Sequence, residues 1–500
     1  MALFYVIIDN NFRFLLVSFK LTQHIAINPE PFMPAALQHT STATPPQIHL
    51  TPHKPGSVRE LWRISLPLML TALSGSLMLF CDRLILARYS IEAMNAASTA
   101  GMAVAVFQFG AVSIAAIAEV FVGQYNGAKK QNLLGEPVWQ MIWFSCLTLL
   151  AFLPLGLFAS QWFLPPKYSD LGTPYFMWLM IFGPLLPMIS AVAAFYIGQG
   201  LVKLVTIAAL FGNLINLVLG IMLVFGVPKL GIPAMSTEGA AIATVIAQSI
   251  QFAILFVVFL NHHHRKNHGT GHYKFNRSMF FQCIRIGLPS SIGHMIEIGA
   301  WAAMAYMLSW VSERHVTLLA IGQSIYILFA FASDGLQKGV IAVTSNFIGA
   351  KQLSMVRKVL RSAVILSAYI IAVLAIPLLI SPEWVVNSFI PSTLPGPELI
   401  ELRALAELTL FWIWIYFVFD IVVWVLAGIL TAAGDTAFIM LINAVIAWFF
   451  ALIPVYFFVV KMNGPAILTW KLSVLYISIN MLCFFWRYRS NKWKRLHLVA

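Results

Sequence analysis

The sequence predicts an all-α polytopic membrane protein, with twelve transmembrane helices in two parallel six-helix repeats. Three observations carry this. The 500 residues are 60% hydrophobic and only 10% charged, with mean hydropathy +0.84, whereas a soluble domain carries roughly 25% charged residues. Apolar windows of about 19 residues recur along the chain, enough for a helix to cross a bilayer. They lack the alternation over about ten residues that marks a barrel strand. Third, two signatures recur at one offset. RISLP (Arg63 to Pro67) returns as RIGLP (Arg285 to Pro289), and Gly127-Ala128-Lys129 returns as Gly349-Ala350-Lys351, both 222 residues on. Phe107 and Phe109 fall on Phe329 and Phe331 at the same offset. Six spans is an even number, so the two copies share an orientation, an arrangement in which transporters bind substrate between the halves.

Taken in order, residues 1–56 read as a disordered extension. An apolar stretch broken by Asp9-Asn10-Asn11 has no small-residue cleavage site after it, and Met33 to Pro55 is rich in Thr, Pro and His. Either Met1 or Met33 serves as the first residue. The N-lobe, 57–261, holds spans at 61–86, 95–122, 138–160, 174–198, 202–226 and 239–260. The linker, 262–278, carries His262, His263, His264, His268 and His272. It reads as a solvated cytoplasmic loop, with metal binding as the alternative. The C-lobe, 279–486, holds spans at 280–311, 316–345, 360–380, 403–430, 436–460 and 465–486. Gly200 matches Gly434 if the second copy carries about twelve further residues, placed in SPEWVVNSFIPSTLPGPE.

The net charge is +13, but Lys and Arg concentrate on alternate loops and on the tail, 487–500. That bias places both termini in the cytoplasm of a multi-pass protein of the inner (plasma) membrane. The tail, RYRSNKWKRLH, then reads as an anchor on anionic lipid rather than a nucleic-acid contact. Cys81, Cys146, Cys283 and Cys483 stand singly, with no CxxC pair, so neither a disulfide framework nor a cysteine metal site is indicated.

Of the 18 acidic residues, Asp82, Glu119, Glu297, Asp334 and Asp420 fall inside spans. Each costs roughly 2.5–3.5 kcal/mol at mid-membrane, so each must face protein or a wet cavity. Spacing from flanking charges puts Glu297, Asp334 and Asp420 near the midplane, Asp82 in the outer half and Glu119 in the inner third. Asp334 has Lys338 four residues on, which allows a structural ion pair on one helix face. Asp82 has an outward snorkel beside Arg83 and Arg88 as its alternative, and Glu119 a cap or pair near the inner interface. Glu297 and Asp420 have no charged neighbour at helical spacing, which makes them the stronger binding candidates.

These residues and motifs resemble the multidrug and toxic compound extrusion (MATE) family. The resemblance rests on RISLP, the Asp82 end of the first span, VGQYNGAKKQ, FYIGQG, FGNLIN, EGAAIAT, IEIGAW and FDIVVWVLAGILTAAGDT. It runs from about Ser57 to Arg487. It implies a secondary antiporter that exports amphipathic, often cationic compounds in exchange for Na+ or H+ by alternating access of two lobes. Asp82 then matches the first-span coupling carboxylate. Glu297 matches the seventh-span acid of the sodium-coupled branch, so that Na+ at Glu297 and Asp420 is implied. One branch has an aspartate four residues after the fifth-span asparagine; here Asn216 is followed by Gly220. The implied partners are small organic cations and the lipid bilayer, with a monomeric protein, no nucleic acid, and no cofactor beyond the coupling ion. The alternative is a lipid-linked oligosaccharide flippase of the same superfamily, which would favour a cationic cavity. An enzyme is disfavoured, since no HExxH, HxxxD or GxSxG stands in a suitable setting.

Overall fold

A computed structural model describes residues 49–389, 397–496 and 498. The expectations for the extension before residue 49, and for 390–396 within the inserted loop, lie outside the described residues. Twelve long helical segments follow one another: α1 Val58–Tyr89, α2 Ile91–Gly127, α3 Gln131–Phe158, α4 Pro166–Gly198, α5 Val202–Phe225 and α6 Ser236–Phe259. The second set is α7 Arg277–Ser309, then α8 Glu313–Gly349, α9 Leu353–Ile380, α10 Ile400–Ala432, α11 Thr436–Lys461 and α12 Leu468–Arg489. Eleven of them are long and apolar enough to cross a membrane. The remaining one, α7, has the length (33 residues), but Arg285, His294, Glu297 and its serines dilute its hydropathy.

Most helices extend beyond the apolar windows. In α9 the added turns are amphipathic, with Val356 and Val359 buried while Arg357, Lys358 and Arg361 are exposed or half-buried, as suits a helix leaving the lipid. The start of α1 is fixed by a capping box. Ser57 accepts from Glu60 N at 3.3 Å, and Glu60 Oε2 accepts from Gly56 N at 2.6 Å. The ends of α9 and α11 widen into i→i+5 turns beside Pro377 and Pro454, since proline removes a ladder donor.

The duplication is visible in the backbone. Lys129 and its counterpart Lys351 both take left-handed φ, +58° and +60°; Gly200 and Gly434 do the same at +76° and +85°. The repeats meet along a pseudo-two-fold seam formed by the loop-side ends of α2 and α8. Gln124 Nε2 donates to Ala432 O at 2.8 Å, and its counterpart Asn346 donates through Nδ2 to Gly198 O at 2.7 Å. Asn126 Nδ2 also donates to Asn346 Oδ1 at 2.7 Å. Gly127 lets the backbone of Asn346 approach, and Gly349 does the same for Gln124; a Cβ at either would stand 2.0 Å from a carbonyl oxygen. The two GAK signatures thus cross each other where the lobes touch. Residues 49–57 add a strap: Ser362 Oγ of α9 donates to Gly56 O at 2.7 Å, while Leu50 lies against Gly200.

Two segments carry more structure than the sequence announces. The linker is exposed along much of its length, at 262–263, 265–267 and 272–278, but part of it is packed. Residues His262–Asn267 form a helix, and the segment after it is held on α3 by Trp139 Nε1 to Thr270 O at 2.8 Å and Gly135 N to His268 O at 2.9 Å. His268 is buried, and His264 packs edge-on against Phe195 and Tyr196. The main-chain carbonyls of Thr270 and Tyr273 accept from α3's Trp139 and Trp143, partners that composition does not reveal. Among the described residues no group of three or more His, Cys, Asp or Glu side chains is placed to hold a metal. The tail is likewise held at one residue. Trp493 is 2% exposed and stacks on Tyr488 at 5.9 Å, although Lys492, Lys494 and Arg495 remain exposed. Stacking and burial of the indole fix the tail against α12.

Candidate functional site: a charged cavity in the C-lobe

Glu297 lies on α7, one turn after His294 and Gly293. The small Gly293 lets α11 approach at Met440, so this face of α7 turns inward and the two polar side chains open on a cavity of about 450 Å³. Asp420, on α10, opens on the same cavity and is 3% exposed. Trp424, four residues later on the same face, donates through Nε1 to Asp420 Oδ1 at 3.2 Å. Tyr326 Oη of α8 lies 3.4 and 3.5 Å from the two carboxylate oxygens. Stacking on Phe417 at 5.4 Å and an edge contact with Tyr416 hold that ring in place. Glu297, Asp420 and His294 open together on this cavity. The amides of Asn443 and Asn480, joined at 3.2 Å, supply further oxygens to the lining.

Lower in the cavity, Lys338 Nζ meets Asp334 Oδ2 at 2.7 Å, the i,i+4 pair expected from the sequence. Glu119 reaches the same cavity from α2 and is the one acidic residue that the N-lobe contributes to its lining. It is 5% exposed.

Four of the five intramembrane acids therefore share one cavity. Asp82 does not. It is buried inside the N-lobe, 7% exposed, while Arg83 and Arg88 point out; the outward snorkel is thereby excluded. Its partner is Asn216. The amide orientation that satisfies the network has Asn216 Nδ2 donating to Asp82 Oδ1 at 2.9 Å, with the amide oxygen accepting from Thr244 Oγ1 at 3.0 Å. A Cβ on Gly220 would stand 3.9 Å from Asp82 Oδ1. Position 220 thus faces Asp82, and here it carries no charge.

Sequence reasoning missed His294, Tyr326, Trp424, Asn443 and Asn480. His294 at i−3 from Glu297 and Trp424 at i+4 from Asp420 were readable as same-face neighbours. Tyr326 and the two asparagines arrive from other helices, and no spacing in the sequence announces them.

Comparison with known proteins matches this architecture. The family described as MatE matches residues 67–222 and 289–457, once in each repeat. The Thermotoga maritima "Probable multidrug resistance protein NorM" is 22% identical over 447 residues, covering 87% of this chain and 93% of the relative. A NorM of the same description from Pseudomonas putida is 22% identical, over 83% and 90%. Among solved structures, an outward-facing multidrug resistance MATE transporter of the MOP superfamily superposes with TM-score 0.75 at 16% identity, covering 88% of this chain and 97% of its own. A MOP superfamily transporter from Pyrococcus furiosus, described as having a binding pocket of reverse polarity, gives 0.74 at 17% identity. With both halves matched and the two-lobe helical fold in place, the chain belongs to the MATE family: it is a membrane-spanning transporter of the multidrug efflux class and not an enzyme.

Proposed function

We propose that this protein is an antiporter that exports amphipathic organic cations in exchange for sodium bound at Glu297 and Asp420. The observation that carries the reading is the clustering of two carboxylates, Asp420 buried and Glu297 half-buried, with two amide side chains on one intramembrane cavity. A hard cation needs several oxygens at once, and this lining offers them. A cation in that cavity and an organic cation compete for the same carboxylates, so the lobes exchange one for the other rather than carrying both. Trp424 and the exposed Phe109 on the lining offer aromatic rings to an organic cation. An inward-negative potential of 100 mV contributes about 2.3 kcal/mol per charge. The termini and basic loops are placed in the cytoplasm, and the protein acts as a monomer.

The test is export of a fluorescent organic cation from proteoliposomes at equal pH on both sides, with only an inward sodium gradient imposed. Export accelerates in the wild type, and Glu297→Gln or Asp420→Asn erases the response while expression stays near wild type. Full-rate export driven by a pH gradient in sodium-free buffer refutes sodium coupling and makes Asp82, paired with Asn216, the leading proton site.

A further inference from the structure

Glu119 has an environment unlike that of the other cavity acids. It sits at the start of the last stretch of α2, where the N-lobe closes against α8, and one of its oxygens, Oε1, is buried with no hydrogen-bond partner. Its neighbours on α2 within one turn along the cavity are Ala116, Ile117 and Val120, none of which supplies a polar side chain; Ser113 lines the cavity further along the helix. The helices packed on this stretch are α8, the second half of α4, and α3. From them, Lys338 and Asp334 of α8 open on the same cavity as Glu119. Glu136 of α3 accepts from Asn276 Nδ2 at 2.5 Å, and Tyr196 of α4 donates to Leu255 O. Two carboxyls therefore share one ammonium, and that ammonium is already bonded to Asp334 at 2.7 Å. A buried carboxylate without a donor is costly, so one negative charge in this trio needs neutralising while the lobes are closed.

We propose that Glu119 is a proton-binding site at the lobe interface. Its carboxyl is neutral while α2 and α8 are closed on each other, and it gives up its proton to water when they part. A proton suits the site better than sodium for two physical reasons. A proton needs one carboxyl oxygen, whereas sodium needs several oxygens converging at once. The neighbouring Lys338 ammonium also repels a metal cation. On release, the bond between the proton and Glu119 breaks, the proton passes to water, and Glu119 remains as a carboxylate facing Lys338. Opening of the seam thereby becomes linked to one proton, separately from whatever ion Glu297 and Asp420 hold. This inference rests on the reading of the cavity as the transport path, but its test needs no transport.

The experiment replaces the four native cysteines by alanine and places spin labels on Lys129→Cys and Lys351→Cys, exposed on either side of the seam. Inter-label distance distributions are recorded in nanodiscs between pH 5.5 and 8.5, without sodium or substrate. In the parent protein, raising the pH shifts the population toward the separated seam. Glu119→Gln keeps the seam closed and lowers the pH slope by one proton, a loss of about tenfold in the open/closed ratio per pH unit. Equal slopes in the parent and in Glu119→Gln overturn the proposal. If Glu119→Gln fails to fold, Lys338→Gln is read instead. Removing the ammonium makes the carboxylate harder to form and moves the midpoint up by at least one pH unit, and an unmoved midpoint overturns the site. Equal slopes together with intact sodium-driven export refute Glu119 while leaving the proposed antiport standing.

Discussion

Gly127→Ala adds a single methyl group at the place where the two repeats touch. A Cβ there would lie 2.0 Å from Asn346 O and 2.8 Å from its carbonyl carbon, whereas a carbon–oxygen contact settles at about 3.3–3.6 Å. The obstacle is backbone, so no rotamer change relieves it, and α2 and α8 must separate by about 1.3–1.6 Å. That separation removes the hydrogen bonds from Asn126 to Asn346 and from Asn346 to Gly198, both 2.7 Å long. At about 0.5–1.5 kcal/mol net each, the closed seam loses about 1–3 kcal/mol, a shift of about 5–150-fold toward the separated state. Alanine is the better helix former, so the substitution does not weaken α2 itself. The assay is thiol labelling of Ser345→Cys, a position fully buried in the seam, in purified protein of the cysteine-free background. Labelling accelerates by at least fivefold in Gly127→Ala, and the symmetry-related Gly349→Ala behaves alike because it meets Gln124 O at the same 2.0 Å. A folded Gly127→Ala protein whose Ser345→Cys stays as protected as the parent would refute the reasoning.

Two further outcomes are expected. Asp334→Asn leaves Lys338 without its 2.7 Å partner and lowers thermal stability; adding Lys338→Met restores the melting temperature, and recovery of transport as well identifies the pair as structural, whereas recovery of folding alone assigns Asp334 to the mechanism. In the linker, burial holds His264 down at about 4, with His268 and His263 adding to the effect, and burial lowers His268 in the same direction. The unfolded segment therefore binds more protons than the docked one below the ordinary histidine range near 6.5. Docking is complete above that pH and weakens as the pH falls toward 4. Limited proteolysis between His262 and Lys274 should speed up on acidification, and His264→Phe should remove most of the pH dependence; cleavage independent of pH counts against this account.

The sequence by itself determined the membrane class, the span count, the duplication and the five acids inside spans, because those follow from hydropathy, periodicity and a constant offset, all readable along the chain. It also read the Asp334–Lys338 pair correctly, since i,i+4 neighbours on a helix meet whatever the fold does. Tertiary structure alone decided which acids share a cavity. Glu119 and Asp420 are 301 positions apart in the sequence, yet they line one cavity, while Asp82, on the helix next to Glu119's, turns into the N-lobe toward Asn216. Helix rotation about its axis sets that choice, and rotation is fixed by packing against neighbours that periodicity does not name. The GAK repeats show the same division: the sequence marked Gly127 and Gly349 as equivalent, and only the packed seam shows each leaving room for the backbone of the other repeat's helix, because a missing Cβ matters only where another backbone arrives.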